Sequence, residues 1–509
     1  MRLALAQINP TIGDLTGNVR LILDAARSVE SQGPDLIVFP EMAVPGYPPR
    51  DILYDATFVD AVEAATRDLA ELARGLPPLL VGSLARSGQV LPTHPALHNT
   101  AYLMHAGIMQ IAQIKQLLPV YDVFYEPRWF VSGATTLSPI EIAETKIGIL
   151  ICEDMWDEQY SIHPGADLKK MGAELLVCLS ASPYRRGAGD GRVYQAQRQG
   201  LPLAFVNLVG ANDELIFDGG SFVLDGEQLP RFEEQGRLVT LEPGKRIPVD
   251  PPPPLVAEQE VFRALTLGLR DFARKNRLAH AFVGLSGGID SSVTAVIAAE
   301  ALGAACVTGI AIPSRFTDVR STESAEQLAR SLGIGFEVIE LEKIHLAMEE
   351  VLALEGGPGA VGENIQARLR MTILMSRVNQ FGGFLINTSN KTELALGYST
   401  LYGDMAGAIS LLGDLTKPEV YAIAGWINRE RGVIPQFVME RKPSAELRAD
   451  QVDPFDYESL SPEVDGLVAR NQSNVPMRAS EHKRWQMGIV LKVSEKSFGR
   501  GRMMPVTRR

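Results

Sequence analysis

Three residues in the first half of the chain and one glycine-rich stretch in the second are of types that do chemistry, and each stands where an apolar run ends. Glu41 follows the run 36–39 in FPEMAVPGY, Lys115 opens KQLLPVYDVFYEPRWF, and Cys152 follows the run 147–151 in LICEDMW. A thiol is a weak nucleophile until it is deprotonated. A nearby ammonium favours the thiolate, and a carboxylate can accept and return the proton. Glu, Lys and Cys together therefore suffice to hydrolyse an amide through a thioester. Singly they say little, because a lone cysteine at a strand end is more often core and a lone Glu or Lys more often surface. The glycine-rich stretch is GLSGGIDSS at 284–292, set between the apolar runs 279–283 and 293–302. Its glycines let the backbone approach an anion. Its hydroxyls and the N–H groups of a helix start can hydrogen-bond phosphate oxygens. Neither the spacing of the common P-loop nor GxGxxG is present.

The elements that must hold these residues follow from hydrophobic periodicity. Strands are expected at 2–7, 36–39, 79–82, 100–104, 147–151, 175–179 and 204–208, with helices over 18–29, 60–74, 168–172 and 191–199. That pattern predicts a layered α/β domain. Pro243, Pro248 and Pro251–Pro254 mark an extended connector, so the expected division is residues 1–242, a linker at 243–258 and a second domain at 259–509. A helix over 257–276 then leads into strands at 306–312, 335–339 and 384–387, separated by helices over 321–332, 344–354 and 364–380. Strand–helix alternation predicts a doubly wound parallel sheet.

At 509 residues the chain is long enough for two or three domains, and 46% hydrophobic with 22% charged residues is the balance of a soluble globular protein. A net charge of -12 argues against general nucleic-acid or anionic-membrane binding. Neither a signal peptide nor a membrane span is expected. Cys152, Cys178 and Cys306 are too far apart for a disulfide framework or a CxxC metal site, which fits a reducing cytoplasm. Cys178 and Cys306 lie in apolar runs and are assigned to packing. The seven scattered histidines, His94 and His98 among them, suggest no zinc site.

Together, Glu41, Lys115 and Cys152 with their flanking words resemble the Glu-Lys-Cys triad of the nitrilase (carbon–nitrogen hydrolase) superfamily, over about the first half of the chain. The resemblance implies an α-β-β-α sandwich whose substrate, in domains that serve a synthetase, is glutamine. By it Cys152 attacks the amide, Glu41 is general base and acid, and Lys115 stabilises the oxyanion. Tyr121 and Ser182 match glutamine contacts. Related sequences carry a basic residue where this chain has Ala188. Arg185, Arg186 and Arg192 are the candidates to replace it, and Arg185 is the one assigned to glutamine binding.

SGGIDSS resembles the pyrophosphate loop of the ATP-pyrophosphatase superfamily. With ENIQARLR, NTSNKTELALGYSTLYGDMAG, GDLTKPEV and KPSAEL it resembles the NAD synthetases. This implies that Gly284, Leu285, Ser286, Gly287, Gly288, Ile289, Asp290 and Ser291, with Thr388, Lys417 and Ser444, bind ATP. Asp290 and Glu393 become the Mg2+ candidates, and Asn364, Arg368 and Lys483 lie near deamido-NAD. Taken without the resemblance, NKTE reads as a capped helix start and Lys417 as a solvated charge. The combined expectation is a glutamine-fed, ATP-dependent amidation of deamido-NAD through an acyl-adenylate, with ammonia passed between domains in a homo-oligomer. Two alternatives are a ligase acting on another carboxylate and a catalytically dead nucleotide-binding regulator.

Overall fold

The computed structural model describes residues 1–91, 94–224, 226–240, 255–353, 359–470, 481–484 and 486–499. The chain divides into two compact units, Met1–Pro254 and Leu255–Arg509. Most of the expected linker, Pro243, Pro248 and Pro251–Pro254 included, lies outside the described residues, as do the residues beyond Gly499.

The first unit opens with β1 (Arg2–Gln7), α1 (Leu15–Glu30), β2 (Leu36–Val38), α2 (Ala56–Leu72), β3 (Leu79–Val90), β4 (Pro95–His105) and β5 (Ile108–Ile114). It continues with β6 (Ile140–Ile142), β7 (Thr145–Ile151), α3 (Pro164–Lys170), β8 (Leu175–Ser180), α4 (Ala188–Arg198) and β9 (Leu203–Asn207). The strands β10 (Val209–Asn212), β11 (Leu215–Asp218), β12 (Phe222–Val223) and β13 (Gln235–Thr240) complete it. One sheet runs β13-β1-β2-β3-β4-β5 and a second runs β12-β9-β8-β7-β6.

Strand periodicity of two assigns the layers. Leu3, Leu5, Leu36 and Val38 point inward and share a core with Ile149, Ile151, Val177 and Leu179, so the two sheets face each other. The alternate residues Ala4, Ala6 and Ile37 point outward, where Ile22 and Ala26 of α1 and Val62 and Leu69 of α2 cover them. On the far side Leu150, Leu176 and Cys178 pack with Leu168 of α3 and Ala196 of α4. Each layer is thus fixed by two-sided burial, giving the α-β-β-α sandwich. The helix expected at 168–172 starts earlier because Pro164 occupies its first turn, where a missing N–H costs nothing. β5 was not expected. It is an edge strand of mixed exposure, so no clean alternation is imposed on its sequence.

The second unit begins α5 (Ala257–Lys275), β14 (Ala281–Gly284), α6 (Ile289–Leu302), β15 (Val307–Ala311), α7 (Val319–Leu332), β16 (Gly335–Val338) and α8 (Glu342–Val351). After them come α9 (Ala360–Phe381), β17 (Phe384–Asn387), α10 (Lys391–Leu396), β18 (Ile409–Ser410), α11 (Lys417–Arg431) and α12 (Gln436–Glu440). The last elements are α13 (Tyr457–Arg470), α14 (Glu481–Arg484) and β19 (Ile489–Val490). Its sheet runs β16-β15-β14-β17-β18-β19, and every recorded pair is parallel. Strand order reverses between β14 and β17. In a doubly wound sheet, ligands bind outside the carboxyl ends of the strands at such a reversal. The GLSGGIDSS turn lies there. Cys178 is fully buried as expected, whereas Cys306 is only half-buried, in a short turn before β15. No helix among the described residues is long and apolar enough to cross a membrane.

Candidate active sites

In the first unit Glu41 sits at the end of β2 against β3, where Gly82 leaves room: a Cβ there would meet Pro40 O at 2.4 Å. Glu41 is fully buried. Its Oε1 accepts from Lys115 Nζ and Asn99 Nδ2, each at 2.7 Å, and its Oε2 accepts from the Ala181 N–H at 2.9 Å. Lys115 Nζ also donates to Glu126 Oε1 at 2.9 Å, and Tyr47 donates to the same oxygen at 3.0 Å. Burial alone would lower the Lys115 pKa. The Glu126 and Glu41 carboxylates reverse that and raise it well above its ordinary value. For Glu126, burial and then Glu41 outweigh the lysine and push the carboxyl up to about 7. A second buried carboxyl beside a single ammonium is held less firmly ionised, so Glu126 is partly protonated at neutral pH. The cluster therefore has four members where three were expected. Glu126 carries no signal apart from lying in the aromatic-rich stretch YEPRWF.

Cys152 follows β7 with φ 47°, a left-handed backbone that is strained for a residue with a side chain. Ser180 at the end of β8 donates to its Sγ at 3.4 Å. Burial, then Glu41, push the thiol well above its ordinary range, and Lys115 only partly offsets this. Lysine-favoured thiolate is thus not the resting form. Asp154, also unanticipated, accepts the N–H groups of Gln116 and Leu117 at 2.9 Å and of Ile151 at 3.1 Å. It ties the lysine loop to the cysteine turn. Burial raises its carboxyl to about 7 against those three bonds.

The expected glutamine contacts spread around this centre. Tyr121 is half exposed and donates to Glu153 Oε2 at 2.9 Å, while Tyr160 donates to Glu153 Oε1 at 2.9 Å. Ser182 receives Arg192, whose Nε reaches its Oγ at 3.1 Å and whose Nη2 reaches its carbonyl at 2.9 Å. Arg192 is buried and paired with Asp218 at 2.9 Å, so its charge is already spent on a neighbour. The structure brings Arg192, not Arg185, to Ser182. Arg185 is half-buried, and its carbonyl accepts from Ala188 N at 3.0 Å.

In the second unit Gly287 has φ +74°, and a Cβ on it would meet Ser321 O at 2.2 Å, so the turn needs glycine there. Gly288 begins α6, its N–H donating to Ser286 Oγ at 3.2 Å, and Ser286 and Ser291 hydroxyls lie 3.2 Å apart. On the first turn of α6, Asp290 accepts from Asn390 Nδ2 at 2.9 Å and from Lys417 Nζ at 2.5 Å. Lys417 also reaches Glu393 Oε1 at 3.5 Å. Lys417 is buried and not a solvated charge. Burial would lower it, but Asp290 and Glu393 raise it overall. Burial pushes Glu393 up to about 7, with Lys417 opposing and Asp290 reinforcing. Glu393 also closes a capping box with Asn390 at the start of α10, so the plain capping role and the charged cluster share one residue. Two carboxylates facing one cation beside a phosphate loop are hard oxygen donors of the kind Mg2+ uses with phosphate oxygens and water. Among the described residues no three His, Cys, Asp or Glu gather as a metal site, so phosphate would have to complete the coordination.

Asn364, Arg368 and Lys483 converge on one loop from two sides. Thr400 Oγ1 donates to Asn364 Oδ1 at 2.7 Å, Arg368 Nε to Leu401 O at 3.1 Å, and Lys483 Nζ to Gly397 O and Ser399 O at 2.9 and 2.6 Å. Thr388 lines a cavity of about 260 Å³ that starts at Gly284–Ser286 and passes between the ends of β14, β15 and β17. Ser444 is half-buried, and its Oγ accepts from Glu446 N at 3.1 Å. Glu446 lines the same cavity.

This geometry defines a carbon–nitrogen hydrolase unit joined to an adenine-nucleotide-type synthetase unit. The family models agree: carbon–nitrogen hydrolase matches residues 2–227 and NAD synthase matches residues 261–496. The chain is 38% identical to the glutamine-dependent NAD(+) synthetase of Synechocystis sp., over 99% of this chain and 98% of that protein. It is 36% identical to the one from Thermotoga maritima, over 100% and 99%. Among solved structures, the glutamine-dependent NAD+ synthetase of Acinetobacter baumannii in complex with ADP matches with TM-score 0.79 at 30% identity, covering 99% of this chain and 98% of that one. The chain belongs to the glutamine-dependent NAD(+) synthetases, ligases that use ATP.

Proposed function

We propose that residues 1–242 release ammonia from glutamine and residues 259–509 use it to amidate deamido-NAD, with 243–258 as connector. The observation that carries the first half is the buried Glu41–Lys115 pair, whose charges both act on the Cys152 thiol. Cys152 Sγ attacks the glutamine side-chain carbonyl as Glu41 takes the thiol proton. Lys115 stabilises the tetrahedral oxyanion. Glu41 returns the proton to the leaving ammonia, and water then cleaves the thioester to glutamate. In the second half the carboxylate of deamido-NAD attacks the α-phosphorus of ATP, giving an acyl-adenylate and pyrophosphate. Ammonia adds to the acyl carbon and AMP leaves, forming NAD. Ser286, Gly287, Gly288 and Ser291 hold the pyrophosphate. Thr388, Lys417 and Ser444 contact ATP, and Asn364, Arg368 and Lys483 orient deamido-NAD. Mg2+ held by Asp290 and Glu393 would neutralise the phosphates. Ammonia is mostly protonated at neutral pH, so fusion of the two units supports a shielded path between them. A homo-oligomer in a reducing cytoplasm fits the resemblance and the free cysteines.

The test is synthesis of NAD from ATP and deamido-NAD with either glutamine or an ammonium salt. Cys152→Ala abolishes the glutamine-driven rate and leaves the ammonium-driven rate within about twofold. Asp290→Ala stops both. A folded Cys152→Ala variant inactive with ammonium would refute the two-site reading. The rival reading, a ligase for another carboxylate, is decided by whether deamido-NAD triggers pyrophosphate release.

A further inference from the structure

Asn99 of β4 holds two members of the first unit's buried centre at once. Its Nδ2 donates to Glu41 Oε1 at 2.7 Å, and its backbone carbonyl accepts from the Lys115 N–H at 2.9 Å. Asn99 is buried, and its Oδ1 is shut off from solvent with no hydrogen-bond partner among the described residues. A buried amide oxygen without a donor is costly, and a leucine would fill the same space without that cost. Turning the amide over would not relieve it, because Oδ1 would then face Glu41 Oε1, acceptor against acceptor. Glu41 therefore sets the orientation, and the open Oδ1 is what the fold tolerates for that one hydrogen bond.

A carboxylate offers about two acceptor sites on each oxygen. Oε1 of Glu41 is filled by Lys115 Nζ and Asn99 Nδ2, each at 2.7 Å, whereas Oε2 accepts from the Ala181 N–H at 2.9 Å and keeps a site open. Ala181 follows Ser180, whose hydroxyl donates to Cys152 Sγ at 3.4 Å, so the open oxygen lies toward the end of β8 that also holds the thiol. We propose that Asn99 is a positioning residue for amide hydrolysis: by closing Oε1, it leaves Oε2 as the atom that takes the thiol proton. As Sγ bonds to the amide carbon, the S–H bond breaks, the proton passes to Oε2 and the carbonyl electron pair moves onto the oxygen. This rests on the reading that Glu41, Lys115 and Cys152 hydrolyse glutamine. Asn99 acts through Glu41, so its mark is on the rate of the step and not on substrate affinity.

The test follows glutamate release from glutamine by the full chain, with ATP and deamido-NAD present, for wild type, Asn99→Leu and Asn99→Asp. Leucine removes the donor. Its kcat should fall about tenfold to a hundredfold with KM for glutamine within about threefold, as for loss of one hydrogen bond to a charged group. Aspartate keeps the shape: ionised, it sets a like charge against Glu41, and protonated, it donates as the amide does. Its rate relative to wild type should be lowest above about pH 8 and recover about tenfold by about pH 6. A side chain that only packs has no reason to regain activity on acidification. Ammonium-driven synthesis by the same preparations, expected within about twofold of wild type, reports the folded fraction. A folded leucine variant with undiminished kcat overturns the proposal, as does a loss confined to KM, which would place Asn99 against the substrate. So does an aspartate-to-wild-type ratio that is flat in pH, and this arm decides if the leucine variant fails to fold. Glutamate release that survives Cys152→Ala would instead fail the underlying reading of the triad.

Discussion

Cys152 rests as a thiol in a pocket where burial and Glu41 outweigh the Lys115 ammonium. The sign matters: the thiolate is disfavoured at rest, so on the proposed mechanism proton transfer to Glu41 belongs to the attack on the carbonyl itself. Alkylation of Cys152 by iodoacetamide should therefore stay slower than that of a free cysteine through pH 9, with no inflection between pH 6 and 9. Cys306→Ser as background removes the half-buried second thiol. Mass-spectrometric alkylation rates against pH check this, and an inflection near neutrality would contradict it. The same balance explains Glu126. With its carboxyl at about 7 it is partly protonated at neutral pH, which keeps Lys115 from being neutralised twice.

The turn between β14 and α6 shows how an element imposes a residue. Gly287 is held at φ +74° with the Ser321 carbonyl where a Cβ would lie, so Gly287→Ala meets both backbone strain and a backbone clash at 2.2 Å. Its expected cost is about 2–4 kcal/mol, concentrated on the loop and the α7 segment behind it. Ammonium- and glutamine-driven synthesis should both fall more than tenfold while glutaminase activity is retained. Parallel assays of glutamate and NAD check this. Loss of both activities would mean that the substitution acts through general misfolding. In the first unit the comparable device is Asp154, whose three backbone acceptances hold the Lys115 loop and the Cys152 turn in one register.

The chain holds two compact units, each with its own buried charged centre, and on the proposed reading the product depends on ammonia moving from one to the other. A shielded path predicts that, with deamido-NAD and ATP present, glutamate and NAD appear in nearly equal amounts, and that added glutamate dehydrogenase intercepts little of the nitrogen. Glutaminase flux several-fold above NAD formation would exclude it. The same assay separates this from a catalytically dead regulator, which would form no glutamate.

Periodicity and motif words were enough for the sandwich and the doubly wound sheet, and to single out Glu41, Lys115, Cys152 and the SGGIDSS turn as candidates, because side-chain period and helix-start chemistry are local properties. Spatial neighbours are another matter. Glu126 reaches Lys115 only because a loop folds back under Tyr47, and Arg192 reaches Ser182 only because α4 turns its buried face toward Asp218. Lys417 reads as a solvated charge when its stretch is taken alone, yet it is buried between Asp290 and Glu393, more than a hundred residues from the former. Arg370 stands two positions from Arg368 in one helical word, yet only one of the two lines the cavity. Residue type and spacing say what chemistry a stretch is capable of. Burial, which sets both the partners and the protonation of each charge, exists only once distant segments close around it.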